Sequence, residues 1–208
     1  MKLTIFGATG QVGKQLTEQA LWRNHEVVAF GRNALSIQKE HERLHKFKGA
    51  LFDESEVREA IQGSDAVISV IGGAFDGSDK ARSLGIKNII HQMEKCGVQR
   101  IVALGGLGIL NADEHTLLID TASYPQEFIP VGNEHRKAWE YLSASSLDWT
   151  FVCSPNIVDA GPTGQYNTSR DYPPAPNQYR INAGDLAQFL LNEVEQNRYV
   201  KARVGISN

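Results

Sequence analysis

The chain has 208 residues, enough for one sizeable core and too short for two full domains. Its 41% apolar and 22% charged residues are ordinary for a globular protein, and a formal net charge of −3 supplies no basic surface for nucleic acid. No apolar run reaches membrane-spanning length, and Cys96 and Cys153 form no Cys-x-x-Cys pair, so no membrane partner, zinc site or disulfide framework is expected.

Lys2 to Phe6 is an apolar run that reads as a buried strand. Gly7-Ala8-Thr9-Gly10-Gln11-Val12-Gly13 follows at once, and Leu16, Ala20 and Leu21 continue at helical spacing. A strand, a glycine turn and a helix make an anion site. The first helical N–H groups lack partners, the helix dipole adds positive charge there, and glycine removes the Cβ atoms that would hold a pyrophosphate away. The spacing is G-x-x-G-x-x-G rather than the G-x-G-x-x-G of many dehydrogenases. A nucleotide-hydrolase phosphate loop is excluded: Gln15 stands where a Ser or Thr would hold magnesium, and Ala8 replaces the leading glycine. The same glycines could serve tight strand–helix packing alone.

Glu26 to Phe30 is the second strand, ended by Gly31-Arg32-Asn33. A chain selecting NAD places an acid here for the ribose 2′-hydroxyl. This chain offers Arg32, whose planar fork of donors suits a 2′-phosphate, so NADP(H) is expected to be preferred over NAD(H). The alternative for Arg32 is an ordinary solvated arginine.

Residues 34 to 43 are polar and read as helical, Leu44 to Phe47 as a third strand, and Glu54 to Ile61 as a short helix stopped at Gly63. Ala66 to Ile71 is a nearly all-apolar fourth strand, which suits a parallel sheet covered on both faces. Gly72-Gly73 then allows a close backbone approach. Leu84, Ile86, Ile89, Ile90 and Met93 mark a long helix ending near Gly97, and Arg100 to Leu104 is the fifth strand, followed by Gly105-Gly106. Residues 109 to 131 show no period and read as loop or short helices. Glu134 to Ser145 reads as helix, Asp148 to Cys153 as the sixth strand, and residues 159 to 180 as a long surface excursion. Asp185 opens the last helix, and Val200 to Ile206 closes the sheet. This alternation predicts an α/β fold: a single-domain, Rossmann-like, doubly wound parallel sheet over residues 1–208 with helices on both faces. Its crevice should lie at the C-terminal strand ends, with covering loops near 106–131 and 157–180.

Several pieces together resemble one family. Gly7-Ala8-Thr9-Gly10-x-x-Gly13 behind an N-terminal strand, Leu147-Asp148-Trp149-Thr150-Phe151-Val152 with Pro155-Asn156, and Asp185-Leu186-Ala187 are similar to the atypical short-chain dehydrogenase/reductases. The nearest branches are the biliverdin-IXβ/flavin reductase-like and NmrA-like NAD(P)H-binding proteins. The resemblance implies cofactor contacts at Gly7, Thr9, Gly10, Gln11, Val12, Arg32, Leu51, Phe52, Asp53, Ile71, Gly72, Gly73, Leu104, Gly105, Gly106, Lys137, Pro155, Asn156 and Ile157, with no metal.

The chain departs from the wider superfamily in two ways. No tyrosine has a lysine four residues on, so the pair that lowers a phenol pKa for proton transfer is missing. Gly105-Gly106 stands where a Ser or Thr usually follows the fifth strand, and Asn156 stands where the flavin reductase has a histidine. Hydride transfer to a flavin, quinone or similar planar acceptor needs no such pair, because water can supply the proton. His115, Tyr124 and Asn156 are the remaining candidates for catalysis. Tyr166, Tyr172 and Tyr179 could either stack on an acceptor or pack their loop. The expected function is thus an NADPH-dependent reductase acting on a small planar molecule. A non-catalytic NADP-binding redox sensor is the alternative, and a sugar epimerase or dehydratase fits less well. With no secretory segment ahead of the first strand, a cytoplasmic location is expected.

Overall fold

The computed structural model describes residues 1–208. Its strands are β1 (Lys2–Phe6), β2 (Glu26–Gly31), β3 (Leu44–Lys48), β4 (Ala66–Ser69), β5 (Arg100–Gly106), β6 (Asp148–Ser154), β7 (Asn156–Val158), β8 (Asn167–Arg170), β9 (Arg180–Asn182) and β10 (Ala202–Ser207). The helices are α1 (Gln11–Trp22), α2 (Glu54–Ile61), α3 (Ala81–Cys96), α4 (Ile129–Ala144) and α5 (Ala183–Gln196). Eight strands form one sheet in the order β3-β2-β1-β4-β5-β6-β10-β8, all parallel except β8, which runs antiparallel to β10. β7 and β9 make a separate parallel ribbon. The order reverses between β1 and β4, and a parallel sheet opens its crevice at such a point.

Alternation along β1 sends Leu3 and Ile5 to one face and Phe6 to the other. The first face is covered by α1 and α5, through Leu16, Ala20, Leu186 and Leu190. The second is covered by α2, α3 and α4, through Val57, Ile86, Ile89, Met93 and Leu142. Each large side chain buried this way contributes about 1.5–3 kcal/mol. Thr4, buried among them, gives its hydroxyl proton to the Ala60 carbonyl at 2.7 Å.

The sheet is locked at its far side by polar groups. Glu193 Oε1 on α5 accepts from Arg100 on β5 (2.8 Å), from Thr150 on β6 (3.1 Å) and from the Tyr199 N–H (2.8 Å). Asp185, in the first turn of α5, accepts from the Thr163 and Gly164 N–H groups and from Asn208, tying residues 163–164 and the C-terminal residue to the helix. Burial pushes the Asp185 carboxyl up, but the bonds from Asn208, Thr163 and Gly164 outweigh it and hold the group below its usual value.

The structure corrects four sequence expectations. Residues 34 to 43 form only a 3₁₀ turn at Ala34–Ser36, because no apolar stripe gives a helix a face to bury. α4 begins at Ile129 rather than Glu134, since Pro130 in a first turn has no N–H to lose. β5 extends to Gly106, paired with Cys153 and Ser154 on β6. The excursion at 157–180 is partly ordered: polar Asn167–Arg170 is an edge strand, and β7 and β9 bracket the loop.

Candidate functional site

The glycine turn is built by close backbone contact. Gly7 has φ +87°, and a Cβ there would stand 2.5 Å from the Val70 carbonyl oxygen. A Cβ on Gly13 would overlap the Gly7 carbonyl. These two glycines are therefore required by the fold. Gly10 differs. It caps α1 without a side-chain bond, and its added Cβ would meet only the Gly7 oxygen, at 3.3 Å. Its open side faces a cleft of about 550 Å³. The first-turn N–H groups of α1 lie at the head of that cleft, and an α-helix offers them no internal partner.

The same cleft brings together residues from four loops: Gly7, Thr9 and Gly10; Gly31 and Arg32 beyond β2; Leu51 and Phe52 beyond β3; and Ile71, Gly72 and Gly73 beyond β4. Arg32 is exposed and has no hydrogen bond or ion pair. The carboxylate in the lining, Asp79, is committed to its own loop, accepting the N–H groups of Ala74 (2.7 Å) and Ala81 (3.1 Å). The Ala74 bond is the main reason its carboxyl lies below the usual value. A Cβ on Gly72 would touch nothing, so the backbone is open to a ligand there. An unfilled glycine edge and a bare helix N-terminus fit the pyrophosphate of a dinucleotide, and the Arg32 guanidinium stands free on the same rim.

Other expected cofactor residues lie elsewhere. Gln11 and Val12 lie in the first turn of α1, where Gln11 is exposed and Val12, being buried, can offer a ligand only its backbone. Asp53 caps α2, accepting from the N–H groups of Ser55 (2.9 Å) and Glu56 (3.0 Å), and its side chain is thus engaged away from the cleft. Lys137 is exposed on α4, outside the cleft lining and without a hydrogen-bond partner. Leu104 packs against the core on the α1–α5 side. Gly105 lies under Phe151 and Gly106 under His135. Pro155, Asn156 and Ile157 leave β6 beside them, with Asn156 exposed and its N–H given to the Tyr179 carbonyl at 3.3 Å. Gly105, Gly106 and residues 155–157 thus belong to a second part of the crevice, at the ends of β5 and β6.

Two of the expected catalytic candidates lie outside the cofactor cleft. His115 sits on the exposed tip of a turn closed by Asn111 and Leu117, outside the cleft. The Tyr124 hydroxyl is pressed onto Gly108, where an added Cβ would approach it to 2.6 Å, and burial pushes the phenol pKa up. A tyrosine tuned to release a proton needs the opposite shift. Tyr166 meets Phe189 edge-on at 6.0 Å and so packs its loop onto α5.

The residue that sequence reasoning missed is His135. It stands on α4 over Gly106, where a Cβ would come within 2.7 Å of its Cδ2 and 3.2 Å of its Nε2. Its Nδ1 is buried without a partner. Burial first, then the charge of Arg82, hold the imidazole down to about 3, so the ring is neutral at pH 7. Arg82 is half-buried and donates to the Ala74 carbonyl at 3.0 Å. Glu134, the preceding residue on α4, accepts from the Ser83 hydroxyl at 2.6 Å and pairs with Lys80 at 3.4 Å, fastening the start of α3 to α4. The signal in the sequence was Gly105-Gly106 itself. A residue without a side chain at a strand's C-terminal end leaves room for one from elsewhere.

Comparison with known proteins agrees with this geometry. Residues 7–197 match the family model described as NAD(P)H-binding. The protein YwnB of Bacillus subtilis (strain 168) is 29% identical over 210 residues, covering 98% of this chain and 96% of its own. A Streptococcus pneumoniae TIGR4 protein, provisionally named an NADH-flavin reductase, superposes with a TM-score of 0.86 at 29% identity, covering 100% of this chain and 99% of its own. A Bacteroides thetaiotaomicron protein, provisionally named an epimerase, gives 0.87 at 27% identity, with 99% and 96% covered. This chain belongs to the NAD(P)H-binding family and has a Rossmann-like fold, consistent with an atypical short-chain dehydrogenase/reductase.

Proposed function

We propose that the protein is an NADPH-dependent reductase that passes hydride to a flavin, a quinone or a similar small planar acceptor. The observation that carries this reading is the glycine cleft with Arg32 free on its rim and its one lining carboxylate, Asp79, bonded into its own loop. The likeness to a protein named an NADH-flavin reductase supports the acceptor class, while Arg32 supports the phosphorylated cofactor. The bound dinucleotide supplies the hydride. The protein's own work is positioning: the turn at Gly7–Gly13 holds the pyrophosphate, Arg32 meets the 2′-phosphate, and the backbone at Gly72 and Gly73 lies along the cofactor.

No acid–base pair is needed if the acceptor takes its proton from water, which agrees with the raised Tyr124 pKa and the missing Tyr-x-x-x-Lys. No helix is long and apolar enough to cross a membrane. Both cysteines are free, which suits a cytoplasmic setting. Steady-state oxidation of NADPH against a panel of flavins and quinones tests the reading. Turnover with at least one is expected, and none with any would refute it.

A further inference from the structure

The crevice beyond the cofactor cleft contains a polar pair that the reading above does not use. Nδ1 of His135 is buried and unpartnered, whereas Nε2 makes no hydrogen bond and is not among the buried orphan atoms, so it reaches solvent. It does so beside Gly106, at the C-terminal end of β5. An orphaned buried N–H is rarer than an orphaned buried acceptor, so the ring's one proton belongs on Nε2. The crevice therefore receives a neutral N–H donor on a ring held by packing. Arg82 adds a positive charge beside it, anchored on the Ala74 carbonyl.

Two exposed aromatic rings lie on the segments leading into α3 and α4, the helices that carry Arg82 and His135. Phe75 and Phe128 meet edge-on at 5.5 Å and are exposed by 55% and 41%. Phe75 follows Ala74, the Arg82 acceptor, and Phe128 precedes α4 by one residue. His135 lies seven positions after Phe128, in the second turn of α4. Glu134 fastens the start of α3 to α4 through Ser83 and Lys80. A Cβ on Gly77 would come within 2.8 Å of the Glu134 side chain, so the loop before α3 is seated on α4.

We propose that this is the acceptor subsite, in which His135 Nε2–H and Arg82 bind the carbonyl oxygen of a conjugated planar molecule stacked near Phe75 and Phe128. The inference rests on the reductase reading and names its second ligand. A carbonyl conjugated to the reacting carbon gains negative charge as hydride arrives. A fixed donor beside a guanidinium stabilises that charge more than the ground state. A neutral imidazole serves here as a hydrogen-bond donor and not as the proton source. His135 would touch the substrate and so be catalytic, while Glu134 would act through the loop as a positioning residue.

The probe is menadione without reduced cofactor, so that nothing turns over. Nitrogen NMR of ¹⁵N-histidine protein, with the His135 signal assigned by its loss in His135→Phe, should show a neutral ring protonated on Nε2 between about pH 5 and 8. Menadione should shift that Nε2 resonance. His135→Phe should weaken menadione binding about tenfold, and His135→Gln, which keeps an N–H donor, should retain most of it. Titration near pH 6.5, a proton on Nδ1, no shift with menadione, or equal affinity in His135→Phe would each overturn the proposal. A parent protein that binds menadione through His135 yet oxidises no reduced dinucleotide would refute the reductase reading and keep the subsite. Turnover with menadione affinity unchanged in His135→Phe would do the reverse.

Discussion

The two halves of the crevice are built from different materials. Beyond β1 and β4 the site is largely backbone: Gly7, Gly10, Gly13 and Gly72 set how near a ligand can come, and the helix end supplies donors. Arg32 is its one free charged side chain. Beyond β5 and β6 the first strand ends in Gly105 and Gly106 and the second in Ser154, and the side chains proposed to act there come from other elements, His135 on α4 and Arg82 on α3. A backbone site is fixed by local sequence and recognises what all dinucleotides share. A side-chain site depends on which residues distant elements bring together, so it can change its acceptor without changing the fold.

The comparison predicts effects of different kinds. The largest should be on stability, under the second half. Glu193 is 1% exposed and neutralises Arg100. Glu193→Leu leaves a buried guanidinium uncompensated and should cost about 3–5 kcal/mol in denaturant unfolding. Wild-type stability in that variant would show that β5 and β6 do not depend on the pair.

Next comes the backbone half. Gly10→Val fills the open edge of the cleft, and its Cβ meets within the turn only the Gly7 oxygen, at 3.3 Å. Dinucleotide affinity should fall about 100-fold by calorimetry while the circular dichroism spectrum is unchanged, a loss near 2.7 kcal/mol. Unchanged affinity in the folded variant would move the cofactor elsewhere.

Arg32→Ala should produce a smaller and more selective change. An exposed charge-assisted contact to a 2′-phosphate is worth the lower end of about 1.5–3 kcal/mol, or roughly tenfold in NADPH affinity, with NADH little affected. Added salt should weaken NADPH more than NADH in the parent. Equal constants for both cofactors, indifferent to the substitution, would make Arg32 a surface residue.

The smallest effect is a pH dependence. Asp185 titrates below 3.8 in the fold and near 3.8 when unfolded. Its contribution is therefore full above 3.8 and is lost as pH falls through the folded value. Asp185→Asn should flatten the acid limb of the stability curve below about pH 4. A parent and variant with parallel acid limbs would remove Asp185 from the account.

The sequence made the first half legible and left the second largely hidden. β1, the glycine turn and α1 are contiguous, so periodicity and glycine spacing were enough. The stop of α3 at Gly97, with φ +70°, was readable for the same reason. The start of α4 was misplaced because Pro130 looked like a loop residue, although the first helical turn accepts it. β8 was missed because Asn167–Arg170 carries no apolar alternation and is held by pairing with β10. Asp53, named through the family resemblance, uses its side chain to cap α2, a role that local sequence alone also allows. His135 could not be found from periodicity, since its role follows from Gly106, 29 positions earlier, lying beneath it.

The most direct test of the central claim is the initial rate of NADPH and NADH oxidation by the parent protein with menadione and with free flavins. The account predicts turnover with a planar acceptor, with NADPH favoured over NADH by about tenfold in kcat/KM through Arg32. Tight dinucleotide binding with no oxidation by any acceptor would contradict it.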